Sequence, residues 1–206
     1  MANYYVDLTA GSNGSGSSAG SPFNSQSAMR GSGATGGDTI YVTGNTSASL
    51  DLGTLAGTSR AAPLAIVGVA SLSTLSQSSQ VAFNASGQSY GVTGGGSYLV
   101  LDNFSFSNMN SSGTNFGGTN LRVTRCTFAK GTGSASTGGT VYNGEFRGCT
   151  FTGFTGTQLT LQGYADRCDF NGGTEGDSPV GGICFFRIDA RSFAGVTSAA
   201  ISRTWQ

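Results

Sequence analysis

Asp166 and Asp189 stand at equivalent points of a short repeat, and Arg147 holds the same point one unit earlier. Two carboxyls about 5 Å apart serve a retaining glycosidase as acid and nucleophile, and ~6.5–9.5 Å is the spacing of the inverting kind. On adjacent strands Asp166 and Asp189 would approach that separation, with Arg147 beside them to stabilise charge. The plainer reading is a surface ladder in which Arg147 neutralises Asp166, and such ladders contribute little energy. The loop NGGTEGDSPVGG offers Glu175 and Asp177 to calcium, yet lacks the alternating Asp/Asn ligands of a dedicated cation loop. It reads more simply as a solvated turn or a partner contact. Tyr90, Tyr98, Phe116, Tyr142 and Tyr164 would suit a sugar groove or a protein interface equally. Trp205, the only tryptophan, either plugs the end of the fold or anchors a partner.

The rest of the chemical inventory is thin. Histidine is absent, which removes the commonest general base and metal ligand. The four cysteines include no CxxC pair, so neither zinc nor any other cofactor is expected. Nine Arg and one Lys are balanced by 10 acidic residues and form no cluster, so nucleic acid is not an expected partner. No apolar run reaches the roughly 20 residues of a membrane span. The opening MANYYVDLTAG has no basic segment followed by an apolar one, so no secretory signal is expected and folding in a cytoplasm is. Glycine supplies 35 residues, but 13 Phe and 7 Tyr give apolar mass that a disordered chain would lack.

The elements that position these residues are repeats. RCTF, GCTF and RCDF recur at 125–128, 148–151 and 167–170. Phe104, Cys126, Cys149, Cys168 and Arg191 occupy one column, and Phe106, Phe128, Phe151, Phe170 and Phe193 the column two residues later. Three residues before the first column stand Leu101, Val123, Phe146, Ala165 and Ile188. Residues two apart share a strand face. A spacing of three breaks that period, so a bend must separate two strand segments. Units of 19–23 residues cannot bury an apolar side alone, but stacked they can. The expected fold is all-β, a single-stranded parallel β-helix in which Phe lies over Phe and Cys over Cys. The stacked cysteines read as buried free thiols. Cys184 stands outside the pattern. The column two positions before the cysteines, Asp102, Thr124, Arg147, Asp166 and Asp189, would face outward.

The first hundred residues give weaker strands: TIYV at 39–42, ASLDLG at 48–53, PLAIVGV at 63–69 and VAFNASG at 81–87. SPFNSQSAMR at 21–30 reads as a short helix with Ser21 as N-cap and Pro22 at the first helical position, covering the open end of the stack. One domain over 1–206 is expected: strand, Gly/Ser loop and cap helix over 1–37, coils over 38–195, and a tail over 196–206.

The order YYVDLTAGSNGSGSSAGSPF, GDTIYV and AAPLAIVGV resembles the opening of right-handed parallel β-helix proteins of the pectin-lyase-like superfamily, and NLRVTRCTF is similar to their later coils. The likeness spans about residues 4–195. It implies the right-handed form of the fold. Its functions range over polysaccharide lyases, glycoside hydrolases, phage tailspikes, adhesins and non-enzymatic virion proteins. With so little catalytic inventory, the expectation is a non-enzymatic bacteriophage structural protein, a capsid decoration or cement protein or a small spike. It would be made in the host cytoplasm, reside in the virion, contact the major capsid protein or other virion proteins, and be able to form homo-oligomers. The alternative is a carbohydrate-active β-helix that binds a surface glycan, with Asp166, Asp189 and Arg147 as its site.

Overall fold

In a computed structural model, residues 1–85, 88, 90–109, 114–116, 120–130, 140–152, 159–171, 188–189 and 192–194 are described; for 114–116, 130, 140–143, 159–165, 170–171, 188–189 and 192–194 the description is of backbone. The elements are β1 (Asn3–Asp7), α1 (Gln26–Arg30), β2 (Thr39–Thr43), β3 (Leu50–Asp51), β4 (Leu64–Gly68), β5 (Val81–Asn84), β6 (Val92–Gly94), β7 (Leu99–Asp102) and β8 (Phe104–Met109). They continue with β9 (Thr114–Phe116), β10 (Arg122–Thr124), β11 (Thr127–Lys130), β12 (Thr140–Arg147), β13 (Thr150–Thr152), β14 (Leu159–Asp166), β15 (Asp169–Asn171), β16 (Ile188–Asp189) and β17 (Ser192–Ala194). The protein is all-β, built of parallel sheets with almost no helix. The largest sheet runs β1-β2-β4-β7-β10-β12-β14-β16, a second β5-β8-β11-β13-β15-β17, and a third β3-β6-β9. The third sheet, of very short strands, was not legible as a separate sheet in the sequence pattern. The right-handed coil expected over 38–195 is finer than these residues define.

The columns read from the repeat coincide with strand register. Leu101, Val123, Phe146, Ala165 and Ile188 are successive partners in the large sheet. Phe83, Phe106, Phe128, Phe151, Phe170 and Phe193 are partners in the second. Phe106, Phe128 and Phe151 are fully buried, with ring centroids 5.2 Å apart at each step. Offset stacking of this kind adds to the apolar burial itself.

The bend that the spacing of three demanded is a left-handed residue. Asn103 (φ 66°), Arg125 (φ 51°), Gly148 (φ 58°) and Arg167 (φ 52°) each stand one position before the Phe104–Cys column. A left-handed residue interrupts the strand alternation, so Leu101 and Phe104 can both face inward. The stack ties these corners together. The N–H of Asn103 donates to Thr124 O (3.1 Å), that of Arg125 to Arg147 O (2.9 Å) and that of Gly148 to Asp166 O (2.9 Å). This explains why glycine replaces arginine in GCTF: glycine adopts the conformation without strain.

α1 begins later than the sequence suggested. Ser25, not Ser21, is the N-cap, and its Oγ accepts from Ala28 N (3.2 Å). Pro22 is therefore not the first helical residue. The free edge of β1 competes for this segment: Phe23 N donates to Tyr5 O and Asp7 N to Phe23 O, at 2.9 and 2.8 Å. Those backbone bonds hold Phe23 extended, so the helix starts only beyond it. Tyr5 N also donates to Gly16 O (2.9 Å). A Cβ on Gly16 would lie 2.1 Å from the Phe23 ring, so only glycine admits this approach.

All three sheets thus have a covered first edge, by different means. The 16–23 segment lies along β1. α1 flanks β3, where Gln26 Nε2 donates to Ser49 O (2.9 Å) and Gln26 Oε1 accepts from Asp51 N (2.5 Å). Along β5, Thr46 N donates to Ala82 O (3.0 Å) and Asn84 N to Thr46 O (2.8 Å). Such covers remove the template that an open strand edge would offer to another chain. Met29 of the helix is buried in the core with Val6, Ile40 and Leu50.

Candidate functional site

Strand alternation places Tyr5, Tyr41, Val67, Asp102, Thr124, Arg147, Asp166 and Asp189 in one register column of the large sheet, on the face opposite the core column. Asp166 pairs with Arg147 on one side and Asp189 on the other. The two aspartates are thus backbone neighbours, although the side chain of Asp189 lies outside the described residues. The Asp166 carboxylate lies 3.5 Å from Arg167 Nε. Arg147 is exposed.

Asp102 is not a free outward carboxylate. It is largely buried, beneath the 77–80 loop. Its Oδ1 accepts from Thr124 Oγ1 (2.6 Å) and Arg125 Nε (2.9 Å), and its Oδ2 from Gln77 Nε2 (3.1 Å). Arg125 Nη2 also bonds Asp102 Oδ2 and donates to Gln77 Oε1 (2.7 Å). The Asp102 hydrogen bond holds the Arg125 guanidinium even more firmly protonated than usual. Gln80 completes the network, donating to Arg125 O (2.7 Å) and accepting from Thr127 Oγ1 (3.0 Å). Asn103 Nδ2 donates to Gly68 O (2.8 Å) and Ser79 O (2.9 Å). The arrangement is a clasp holding a loop against the corners, with its carboxylate already satisfied.

Cys126, Cys149 and Cys168 are buried free thiols. Burial pushes the Cys126 thiol up to about 12. The neighbouring Cys168, together with burial, pushes Cys149 up. Cys126 and Cys149, so protonated, are poor nucleophiles; the hydrogen bond with Cys149 lowers the Cys168 thiol, which burial shields. Each sulfur instead bonds backbone carbonyls, such as Cys126 Sγ to Thr124 O (3.3 Å) and Cys168 Sγ to Asp166 O (3.5 Å).

One cluster was not singled out from sequence. Arg60, Arg122 and Glu145 line a shallow surface cleft, with room for about one water, together with Pro63, Tyr98, Leu99, Val100, Asn120 and Leu121. Glu145 bonds Arg60 Nη2 through Oε1 and lies 3.4 Å from Arg122 Nε through Oε2. Arg122 and Glu145 are strand partners, but Arg60 is 85 positions from Glu145, beyond any local signal.

Of the other sequence candidates, Tyr90 and Tyr98 are half-buried, and Tyr98 alone borders this cleft. Phe116, Tyr142 and Tyr164 are placed as strand positions. Glu175, Asp177, Cys184 and Trp205 lie outside the described residues. Among the described residues, no group of three His, Cys, Asp or Glu could hold a metal ion, and no helix is long and apolar enough to cross a membrane. Comparison with protein-family models, curated proteins and solved structures returned no match.

Proposed function

We propose that the chain is a right-handed parallel β-helix of the pectin-lyase-like kind, acting as a non-enzymatic structural protein of a bacteriophage particle. Strand order supports the path: β7, β8 and β9 fall in three different sheets, and β10 and β11 return to the first two in the same order. Parallel crossovers are right-handed in about 98 % of cases. The observation that carries the structural role is the covering of the first edge of each described sheet above stacked parallel strands. That construction suits a rigid body that resists shear and proteolysis. The satisfied carboxylate of Asp102 adds support, since a residue on the candidate face serves to clasp a loop. The bacteriophage setting rests on analogy within the superfamily the chain resembles, whose members include tailspikes and virion proteins, together with the thin catalytic inventory.

The role is capsid decoration or cement, or a small spike, in contact with the major capsid protein. Its test is quantitative mass spectrometry of phage particles banded on a density gradient from the source culture. Hundreds of copies per particle would support decoration, and a handful a spike. Absence from particles would sink the virion reading.

The adjacency of Asp166, Asp189 and Arg147 favours one second reading, a carbohydrate-active face. It predicts cleavage or binding of an acidic or neutral polysaccharide that is lost in Asp166→Asn and Asp189→Asn. Unchanged sugar-directed behaviour in both variants would remove it.

A further inference from the structure

Asn13–Gly14 stands in the loop that leads into the cover of β1. An Asn–Gly pair loses its side-chain amide more readily than other Asn pairs, because no side chain obstructs attack by the glycine nitrogen. The fold nevertheless calls for both residues. Asn13 Oδ1 accepts from Asn24 N (3.0 Å). A Cβ on Gly14 would lie 2.5 Å from the backbone of Ser21, so no larger residue fits there. The contacts that demand this labile pair also restrain it. Gly14 N, the attacking atom, donates to Pro22 O (2.8 Å), and the bond from Asn24 N holds the Asn13 amide. Gly16 N to Ser21 O (2.8 Å) and Ser15 N to Ser21 Oγ (3.1 Å) complete a clasp between 13–16 and 21–24. Asn13 itself is exposed to water.

We propose that Asn13–Gly14 is a deamidation site gated by this clasp: sealed while the clasp is closed, modified when it opens, and unable to close over β1 as before once modified. Local opening of such a surface segment needs far less free energy than global unfolding. In the open state Gly14 N gives up its proton to solvent and bonds to Asn13 Cγ. The Cγ–Nδ2 bond breaks, and the nitrogen takes up a proton and leaves as ammonia. Water then opens the five-membered imide to aspartate or isoaspartate, with no oxidation or reduction. In isoaspartate the main chain runs through Cβ, one atom longer between positions 13 and 14. That extra atom moves Gly14 N out of register with Pro22 O. The cover bonds beyond it, Tyr5 N to Gly16 O and Asp7 N to Phe23 O, depend on the same register. The inference does not rest on the virion assignment, since it concerns only the chemistry of this loop.

The test is peptide mapping by mass spectrometry of the full chain aged at mildly alkaline pH, folded and in urea, with the acid formed at Asn13 counted over time. Deamidation at Asn13 is expected to be slower in the folded chain by about tenfold or more, the protection that a closed clasp confers. Phe23→Ala removes a ring that packs against the core, loosens the cover, and should restore several-fold of the rate. Chain aged in urea and refolded should then exchange its Tyr5 and Asp7 amide hydrogens faster than fresh chain, also by about tenfold. Asn13→Gln, which forms the larger imide ring only slowly, should keep slow exchange after the same ageing. Equal deamidation rates in folded and unfolded chain would overturn the proposal, as would a Phe23→Ala chain as slow as wild type. Unchanged exchange at Tyr5 and Asp7 in chain carrying isoaspartate at position 13 would overturn the link to the cover. Particle copy number bears on none of these outcomes, so failure here is distinguishable from failure of the virion reading.

Discussion

Arg125 turns the chain through a left-handed corner and, with the same residue's guanidinium, grips Asp102 on the neighbouring strand. One residue therefore fixes both the backbone bend and the loop bearing Gln77. Asp102→Ala is expected to destabilise the protein by about 2 kcal/mol, since it removes charge-assisted hydrogen bonds from a largely buried site. Arg60→Ala, at an exposed pair, is expected to cost under about 1 kcal/mol. Urea midpoints of the two variants decide this, and equal losses would show that the clasp is no stronger than a surface pair.

The corner column predicts an asymmetry between glycine and arginine. Gly148→Ala is expected to cost about 1 kcal/mol although nothing lies within 4 Å of the added methyl, because the cost is conformational. Arg167→Gly is expected to cost less than Gly148→Ala, its loss of the Asp166 contact being offset by relief at φ 52°. Paired chemical denaturation curves give the ordering, and a reversed order would contradict the strain account.

Phe128 is stacked between Phe106 and Phe151 at 5.2 Å on either side. Phe128→Ala is expected to cost about 3–5 kcal/mol through the cavity it leaves. Phe128→Leu should cost much less. Thermal melting distinguishes the two, and similar losses would mean that the ring stack, not the filled volume, carries the stability.

The thiols give a chemical test. Cys126 and Cys149 are pushed up and Cys168 is lowered by its Cys149 hydrogen bond, but all three are buried, so none should react with a disulfide reagent at pH 8 in the folded protein. All should react in denaturant. Mass mapping of the modified positions reads this directly, and native labelling of Cys149 or Cys168 would contradict their burial.

Asp38 supplies a pH dependence. Hydrogen bonds from Ala2 N (2.6 Å) and Thr35 N (3.1 Å) hold its carboxyl below the usual carboxylate range. A depressed folded pKa contributes stability that is fully present above the unfolded value and is lost as pH falls through the folded one. The difference between wild type and Asp38→Asn should therefore be largest near neutrality and shrink below about pH 4. Urea midpoints from about pH 7 down to about pH 2.5 span that window, and a constant difference would contradict the sign.

The sequence by itself determined the inward columns. Phe106, Phe128 and Phe151 recur at strand spacing, and an apolar column three residues before the cysteines forces a bend, because strand alternation has a period of two. Even the corner had a local trace, the Gly148 that alternates with Arg125 and Arg167. The helix start was misread because Ser21 and Ser25 carry similar capping signals, and only the free edge of β1 decides between them. The short strands β3, β6 and β9 have too few residues to show alternation. At the candidate site, the adjacency of Asp166 and Asp189 follows from the repeat. The burial of Asp102 does not, because it needs the 77–80 loop folded over the corner. The Arg60–Glu145 pair is further from reach, since a contact across 85 positions exists only once the strands between them have paired. Periodic apolar spacing encodes which residues face inward, whereas polar partnerships between a loop and a sheet are written only in the distances that folding creates.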